Sequence, residues 1–455
     1  MPPETNHRGQ GTRNRPKHRL LLPLLLASAL ALGLTLTACG SSDSTSSSSA
    51  SGSTDSGGES AGVAQIPKYL GPIKSADSGK GKKLDVGVTV ALSGEGSVWG
   101  TVQLKGAELA AEQIKELGGP EFHIIASDNK SGDPSAGVEA ARKLAANHVG
   151  MGLTSYTADV GAMLPEIKKA QILSFDGGGG TSVFAEGSPY FWGSRAVTPG
   201  DALPGVLKYV QETEPEAKRV AMIFWDLGGE LNKVVEENAK QQIEEAGMEL
   251  VLYEPTQIGS TDFTTTIQHI SDSDPDVVLA GVYGIEVANF MKQYVSSGTE
   301  TPLFGFDITA QAREAAGSAL NGFKYAFDYF DSDAPSNGWA QIFVDSYEEA
   351  YGSPPDFYAA NFYEDMYVLW DLVRRVEAKG GDPASGEQLQ KALEEEPQFP
   401  SVYGGNGEEA GTLAFDLATH SVAKRPMGLF EYSTESEESK LLASFNINGS
   451  DFVLK

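Results

Sequence analysis

The stretch Leu84-Asp85-Val86-Gly87-Val88-Thr89-Val90, followed by Leu92-Ser93-Gly94-Glu95-Gly96 and then Trp99-Gly100, decides the fold. Four of its first seven residues are apolar, three of them Val, and the stretch reads as a strand buried on both faces. Glycines then let the chain turn. Beyond them, apolar residues at Leu104, Ala107, Ala111 and Ile114 recur with helical period, and Gly118-Gly119 stops the helix. Working outward, the unit repeats. Phe122–Ala126 reads as a strand, Ala136–Ala146 as a helix, Val149–Leu153 as a strand, Asp159–Ala170 as a helix and Gln171–Phe175 as a strand. The pattern stops around Phe191–Thr198 and restarts with strand Arg219–Phe224. Helix Asn232–Ala246, strand Glu249–Tyr253, helix Phe263–Ile270 and strand Asp276–Ala280 follow. Repeated βα units imply a parallel sheet with helices on both faces. The expectation is an α/β chain of two similar lobes.

The N-terminus reads differently. Arg8, Arg13, Arg15, Lys17 and Arg19 precede an apolar run from Leu20 to Leu36, and Leu36-Thr37-Ala38-Cys39 closes it. That order is a secretory signal. The tetrapeptide resembles a bacterial lipobox, which implies lipidation at Cys39 after removal of residues 1–38. An uncleaved anchor is the alternative, since a bilayer needs about 20 apolar residues. Cys39 is the only cysteine, so no intrachain disulfide is available. Residues 39–82 follow as a Ser/Gly-rich tether whose composition is too polar to bury a core.

The net charge is −28. Loss of residues 1–38 removes five basic residues and Glu4, leaving about −32. No nucleic-acid partner is expected, because phosphate binding needs clustered Lys and Arg. Gly94, Gly96 and Gly100, with Asp128 ending the next strand, come close to a dinucleotide fingerprint, but the spacing is GxGxxxG. Gly177–Gly180 is followed by no Gly-Lys-Ser/Thr and is not a phosphate loop.

Leu92-Ser93-Gly94, Trp99-Gly100 and Gly106-Ala107-Glu108-Leu109-Ala110 resemble the opening of leucine/branched-chain amino-acid binding proteins. These are the type I periplasmic-binding-protein receptors of ABC importers. The likeness continues through Asp128, Asp133-Pro134, Arg142-Lys143-Leu144, Ser155, Leu173–Gly178, Asp262-Phe263, Pro275-Asp276-Val277-Val278 and Gly305. It implies a two-lobed Venus-flytrap fold with three crossovers near Thr198, Asp328 and Arg425. Lobe 1 would comprise residues 83–198 and 329–425. Lobe 2 would comprise 199–328 and the C-terminal strands of 426–455.

In open α/β sheets ligands bind beyond the C-terminal strand ends. Those loops carry Gly94–Trp99, Thr154-Ser155-Tyr156 and Asp176–Gly179 in lobe 1. In lobe 2 they carry Trp225-Asp226, Val282-Tyr283 and Asp307. Such aromatics, carboxylates and glycines suit a small zwitterion with an apolar body. The candidate ligand contacts are Trp99, Ser155, Tyr156, Asp176, Gly177, Gly178, Trp225, Tyr283 and Asp307. Each also has a structural reading. Ser155 matches a family contact to the ligand carboxylate, or caps the next helix. Trp99 lines the cleft or fills a core. The resemblance gives Asp307 the ligand's amino group, against a solvated loop acid. Tyr283 stacks or hydrogen-bonds. Asp176 matches no family acid and either selects a cation or caps a turn.

The family's small-residue/Thr pair after the fourth strand is replaced by Asp176-Gly177-Gly178-Gly179-Gly180-Thr181. Trp225-Asp226-Leu227-Gly228-Gly229 also lacks the usual Tyr-Gly pair. Backbone N–H groups are left to take a carboxylate. The ligand class thus spans branched-chain or other hydrophobic amino acids, amides, urea-like compounds and aromatic acids. The function expected is a lipid-anchored extracytoplasmic receptor, monomeric and without cofactor or metal, that passes a small solute to an ABC permease. Signalling to a membrane kinase is the alternative. No enzyme is expected: there is no His-Cys metal spacing, no Gly-x-Ser-x-Gly elbow and no strong acid/base pair. Replacing Cys39 by Ala is expected to abolish incorporation of a labelled fatty acid and to release the chain from the membrane fraction. Retention of the variant in that fraction would identify an uncleaved anchor instead.

Overall fold

The structure is a computed structural model that describes residues 62–71, 79–155, 157–178, 188–196 and 199–455. The signal segment with Cys39, Tyr156, Gly179, Gly180, Thr181 and Thr198 lie outside the described residues. The first sheet is built from β1 (Lys83–Val90), α1 (Ser97–Glu116), β2 (Glu121–Asp128), α2 (Pro134–Ala146), β3 (Met151–Thr154), α3 (Thr157–Ala170), β4 (Leu173–Asp176) and β5 (Phe191–Gly193). Its strand order is β2-β1-β3-β4-β5, parallel throughout. The order reverses at β1 and β3, so the loops after those strands share one end of the sheet.

The second set runs α4 (Leu203–Thr213), β6 (Arg219–Trp225), α5 (Gly229–Glu245), β7 (Glu249–Thr256), α6 (Thr264–Asp272), β8 (Val277–Gly281), α7 (Ile285–Ser296), β9 (Leu303–Gly305), α8 (Ala310–Ala316) and β10 (Phe323–Asp328). The chain then supplies α9 (Gly338–Tyr351), α10 (Phe357–Ala378) and α11 (Gly386–Glu395). A small antiparallel sheet follows, made of β11 (Gln398–Asn406), β12 (Glu409–Phe415) and β13 (Val422–Lys424). Finally β14 (Pro426–Tyr432), β15 (Ser439–Asn446) and β16 (Val453–Leu454) return to the second sheet, ordered β16-β15-β14-β10-β9-β8-β6-β7. The two-lobed α/β reading holds, with one refinement. The second sheet is parallel from β7 to β10 and antiparallel from β10 through β16. A short turn suffices between antiparallel neighbours, whereas a parallel pair needs a crossover.

Phe191–Gly193, where the periodic pattern was expected to stop, is a strand paired with β4. The tether is also shorter than 39–82. Val63–Lys68 forms a short 3-10 helix, and Val63, Ile66, Tyr69 and Leu70 are buried. Four apolar side chains within eight residues bury enough surface to order a segment that composition averaged over the whole tether marks as polar.

Helix α10 lies against α1, so chain far along the sequence completes the first lobe. Tyr363 and Tyr367 donate to Gln113 Oε1 at 2.6 and 3.1 Å. Gly106 marks the closest approach: a Cβ there would lie 2.1 Å from the carbonyl oxygen of Ala359. By contrast, a Cβ on Gly161 in α3 would meet nothing within 4 Å. Gly106→Val is therefore expected to lower stability by about 1–3 kcal/mol through overpacking. Gly161→Ala should be neutral or add up to about 1 kcal/mol from helix propensity. Urea unfolding of the two variants measures both, and equal effects would remove the packing argument.

Candidate functional site

The loop after β1 is fixed by its neighbour. Asp128 accepts from the N–H groups of Leu92 and Lys130 at 2.9 and 2.8 Å and from Ser93 Oγ at 2.6 Å. It organises the loop, which accounts for an acid at the place a ribose-binding residue would occupy. Gly100 lets α1 start against that loop, since a Cβ would sit 1.9 Å from the Ala91 carbonyl oxygen. The result carries Trp99 toward the second lobe. The indole lies against Gly284, where an added Cβ would come within 2.8 Å of Cζ2, and 6.2 Å from the Tyr358 ring. Gly284 has φ of 58° as it enters α7, so both conformation and space favour glycine there.

Asp307, after β9, is fully buried. One oxygen accepts the Gly284 N–H at 2.5 Å and the other accepts the Tyr358 hydroxyl at 3.2 Å. The second bond joins the two lobes. Of the two readings of Asp307, a contact to the ligand's amino group or a solvated loop acid, burial rules out the second: the chain encloses this carboxyl. Burial pushes Asp307 up to about 6, against the stabilisation from the Gly284 N–H, Arg195 and the Tyr358 hydroxyl.

Ser155, Asp176, Gly177 and Gly178 sit together at the ends of β3 and β4. Gly177 N–H donates to the Thr154 carbonyl at 2.9 Å, and Gly178 N–H to Asp176 Oδ1 at 3.2 Å. Asp176 is fully buried and closes its own turn. These two amides are engaged within the lobe, while Gly179, Gly180 and Thr181 of the same loop lie outside the described residues. The cause is close packing: a Cβ on Gly177 would sit 2.1 Å from Asn361 Oδ1 in α10. Ser155 is buried, and its backbone bridges Thr89 and Asn129.

In the second lobe Trp225 and Tyr283 pack edge to face, 4.8 Å between centroids, and both are half-buried. Trp225 Nε1 donates to Glu286 Oε2 at 2.6 Å, and the Gly259 N–H donates to the other oxygen. Burial raises Glu286 in spite of these bonds. Asp226 turns back on its own loop, accepting from Gly228 N–H and Asn232 Nδ2 at 2.9 and 2.6 Å.

Behind the cleft, the segments joining the sheets meet in a buried ion cluster. Asp328, ending β10, accepts from Arg195 Nε at 3.1 Å and from Arg425 Nε at 2.8 Å. Arg425 Nη1 also reaches Glu364 in α10 at 2.5 Å. Burial opposes the charge of Arg425, but Glu364 and Asp328 outweigh it and hold the guanidinium protonated. The Arg195 guanidinium stacks over Phe327 and Tyr358 at 4.2 and 4.6 Å.

Two lobes, three connections and an aromatic cleft at the strand ends match what comparison finds: the family model for periplasmic binding proteins aligns with residues 83–437. The chain belongs to the periplasmic binding protein family. A Leu/Ile/Val-binding protein homolog 1 of Brucella suis is 24% identical over 327 residues, 70% of this chain and 84% of that one. The leucine binding protein LivK of Thermotoga maritima has a TM-score of 0.66 at 17% identity, covering 79% of this chain and 98% of its own. A solute binding protein of an ABC transporter from R. palustris, in complex with benzoate, has the same TM-score at 21% identity, covering 82% and 98%. These solved structures are similar in fold.

The members of this binding-protein site that the sequence did not expose are Tyr358, Arg195, Gly284 and Glu286. Tyr358 lies 51 residues from Asp307 along the chain, so no local spacing could pair them. Asp356 as N-cap of α10, accepting from Tyr358 N–H at 3.0 Å, is the only local sign that this helix start is fixed.

The pH response of Asp307 follows from its burial. Its folded value of about 6 lies above its ordinary value of 3.8. Below the ordinary value both states are protonated and the group contributes nothing. As pH rises from about 4 to about 6 the unfolded chain ionises first, and this group withdraws about 3 kcal/mol of stability. Above about 6 the loss is constant. Asp307→Asn is expected to flatten the stability difference between pH 4 and pH 6, read from urea midpoints of the two proteins. Parallel curves would contradict the burial.

Proposed function

We propose that this chain is the extracytoplasmic receptor of an ABC importer. It captures a small solute with an apolar or aromatic body and closes over it by a hinge. The observation that carries the reading is the aromatic seam of the cleft, where Trp99 of α1 meets Gly284 while Trp225 and Tyr283 stand half-buried on the facing lobe. A solute entering that seam touches both lobes. Only such two-sided contact gives the closed state a differential affinity, which is what shifts the population toward it. Its relatives support the same class: a Leu/Ile/Val-binding protein homolog, a LivJ of Streptococcus pneumoniae in complex with isoleucine and a binding protein in complex with benzoate.

The movable bodies in this reading are lobe 1, residues 83–198 and 329–425, and lobe 2, residues 199–328 and 426–455. The candidate contacts in this reading are Trp99, Ser155, Asp176, Gly177, Gly178, Trp225, Tyr283 and Asp307, with Tyr156 a candidate from the sequence alone. Lipid on Cys39 ties the receptor to the outer face of the membrane, and the polar part of the tether lets a monomer reach its permease. Among the described residues no helix is long and apolar enough to cross a membrane, and no cluster of His, Cys, Asp and Glu fits a metal. In this reading the protein binds without turnover and without a cofactor.

Full-length protein in detergent is to be titrated with branched-chain and aromatic amino acids, small aromatic acids, amides and ureas. A ligand at 100 times its Kd adds about 2.7 kcal/mol and raises the melting midpoint. The binder is also expected to reduce the radius of gyration in solution scattering. A panel without a single shifted midpoint would remove the receptor reading.

A further inference from the structure

Among the described residues, no carboxylate inside this cleft is left both open and unengaged to grip the ammonium of a free amino acid. An ammonium requires a carboxylate that it can reach, and the acid placed for that purpose, Asp307, presents no accessible surface. Its two oxygens are taken by Gly284 N–H and the Tyr358 hydroxyl. A solute could displace those partners only by breaking a contact between the lobes and exposing the buried amide of Gly284.

Among the described residues, the other nearby acids are hydrogen-bonded, closed off from solvent or exposed to water. Asp176 is fully buried and closes the turn to Gly178. Glu286 is buried and holds Trp225 and the Gly259 amide. Asp226 is engaged with Asn232 and Gly228. Asp159 has no hydrogen-bond partner on either oxygen among the described residues, but it is buried at the α2–α3 contact beside Gly137 and Met163 and presents almost no surface to a solute. Glu95 faces Gly259 across the opening, but it is exposed, and a pairing in water contributes little. What the described cleft offers a solute is the half-buried surface of Trp99, Trp225 and Tyr283.

We infer that the cleft selects a solute without a free ammonium, held through an aromatic or branched apolar body, and that Asp307 is a positioning residue that fastens one lobe to the other. This rests on the receptor reading above and narrows it. A cationic amino group brought into this cleft would lose its water and reach no open anion there among the described residues, a cost the deamino compound does not bear.

Matched pairs test it on the full-length protein in detergent by calorimetric titration: leucine against 4-methylpentanoate, phenylalanine against 3-phenylpropanoate, and phenylglycine against phenylacetate. In every pair with a measurable binder, the deamino member is expected to bind more than tenfold more tightly than its amino acid. An amino acid that binds within tenfold of its deamino partner, or more tightly, overturns the inference and leaves the receptor reading intact. Absence of binding by every member of every pair and of the wider solute panel overturns both.

Discussion

The ion cluster of Arg195, Asp328, Arg425 and Glu364 is the constraint on which the arrangement of the two lobes depends. Asp328 ends the last parallel strand of the second sheet, Arg425 stands one residue before β14, and Arg195 lies just past β5. Each belongs to a different connection between the sheets, and Asp328 holds the other two by Nε–H···O bonds. Glu364 ties the same knot to α10, while its second oxygen accepts from Ser401 and Val402 at 2.6 and 2.7 Å. All four side chains are buried. Such a cluster contributes less net stability than its Coulomb attraction implies, because the charges give up their hydration. Its value here is geometric: removal of any partner strands a buried charge, so the three connections are held in one register.

From that knot the cleft inherits its shape. The guanidinium of Arg195 lies over Phe327 and Tyr358, and Tyr358 reaches Asp307 on the facing lobe. A continuous path therefore runs from the connections to the cleft floor through packed rings and one hydrogen bond. The segment Val63–Leu70 adds a second fixed point. Tyr69 approaches Gly338 at the start of α9, so that a Cβ on that glycine would lie 1.9 Å from the hydroxyl oxygen. Lys68 pairs with Glu408 at 3.2 Å across an exposed surface, a pairing worth little energetically beside the buried apolar contacts. The tether thus meets the folded body beside α9, well before β1 begins.

Much of the framework was legible in the linear pattern. The βα alternation placed β1 through β4 and β6 through β8 to within a few residues, because strands buried on both faces and helices with one apolar face leave unmistakable periods. The glycines at 94 and 100 pointed to a tight turn feeding a helix. Less legible were elements whose reason to exist lies elsewhere in the chain. β5 is three residues long and is a strand only because β4 lies beside it. Val63–Lys68 is helical only because α9 offers a surface to its apolar residues.

The site shows the same division. Sequence determined which loops face one another, since strand direction and helix start dictate where each βα turn emerges, and it supplied the residue types: Trp99, Trp225, Tyr283, Asp176 and Asp307. It could not determine which polar groups remain open to a solute. Asp307 reads as a ligand-facing acid until Tyr358 and Gly284 close over it, and Gly177 reads as an open amide until Thr154 takes its N–H. Residue type travels with the chain, but solvation and hydrogen-bond occupancy depend on which distant segments pack nearby. For that reason the sequence sufficed for the family and the fold, and only the tertiary structure decided which chemistry the cleft leaves available.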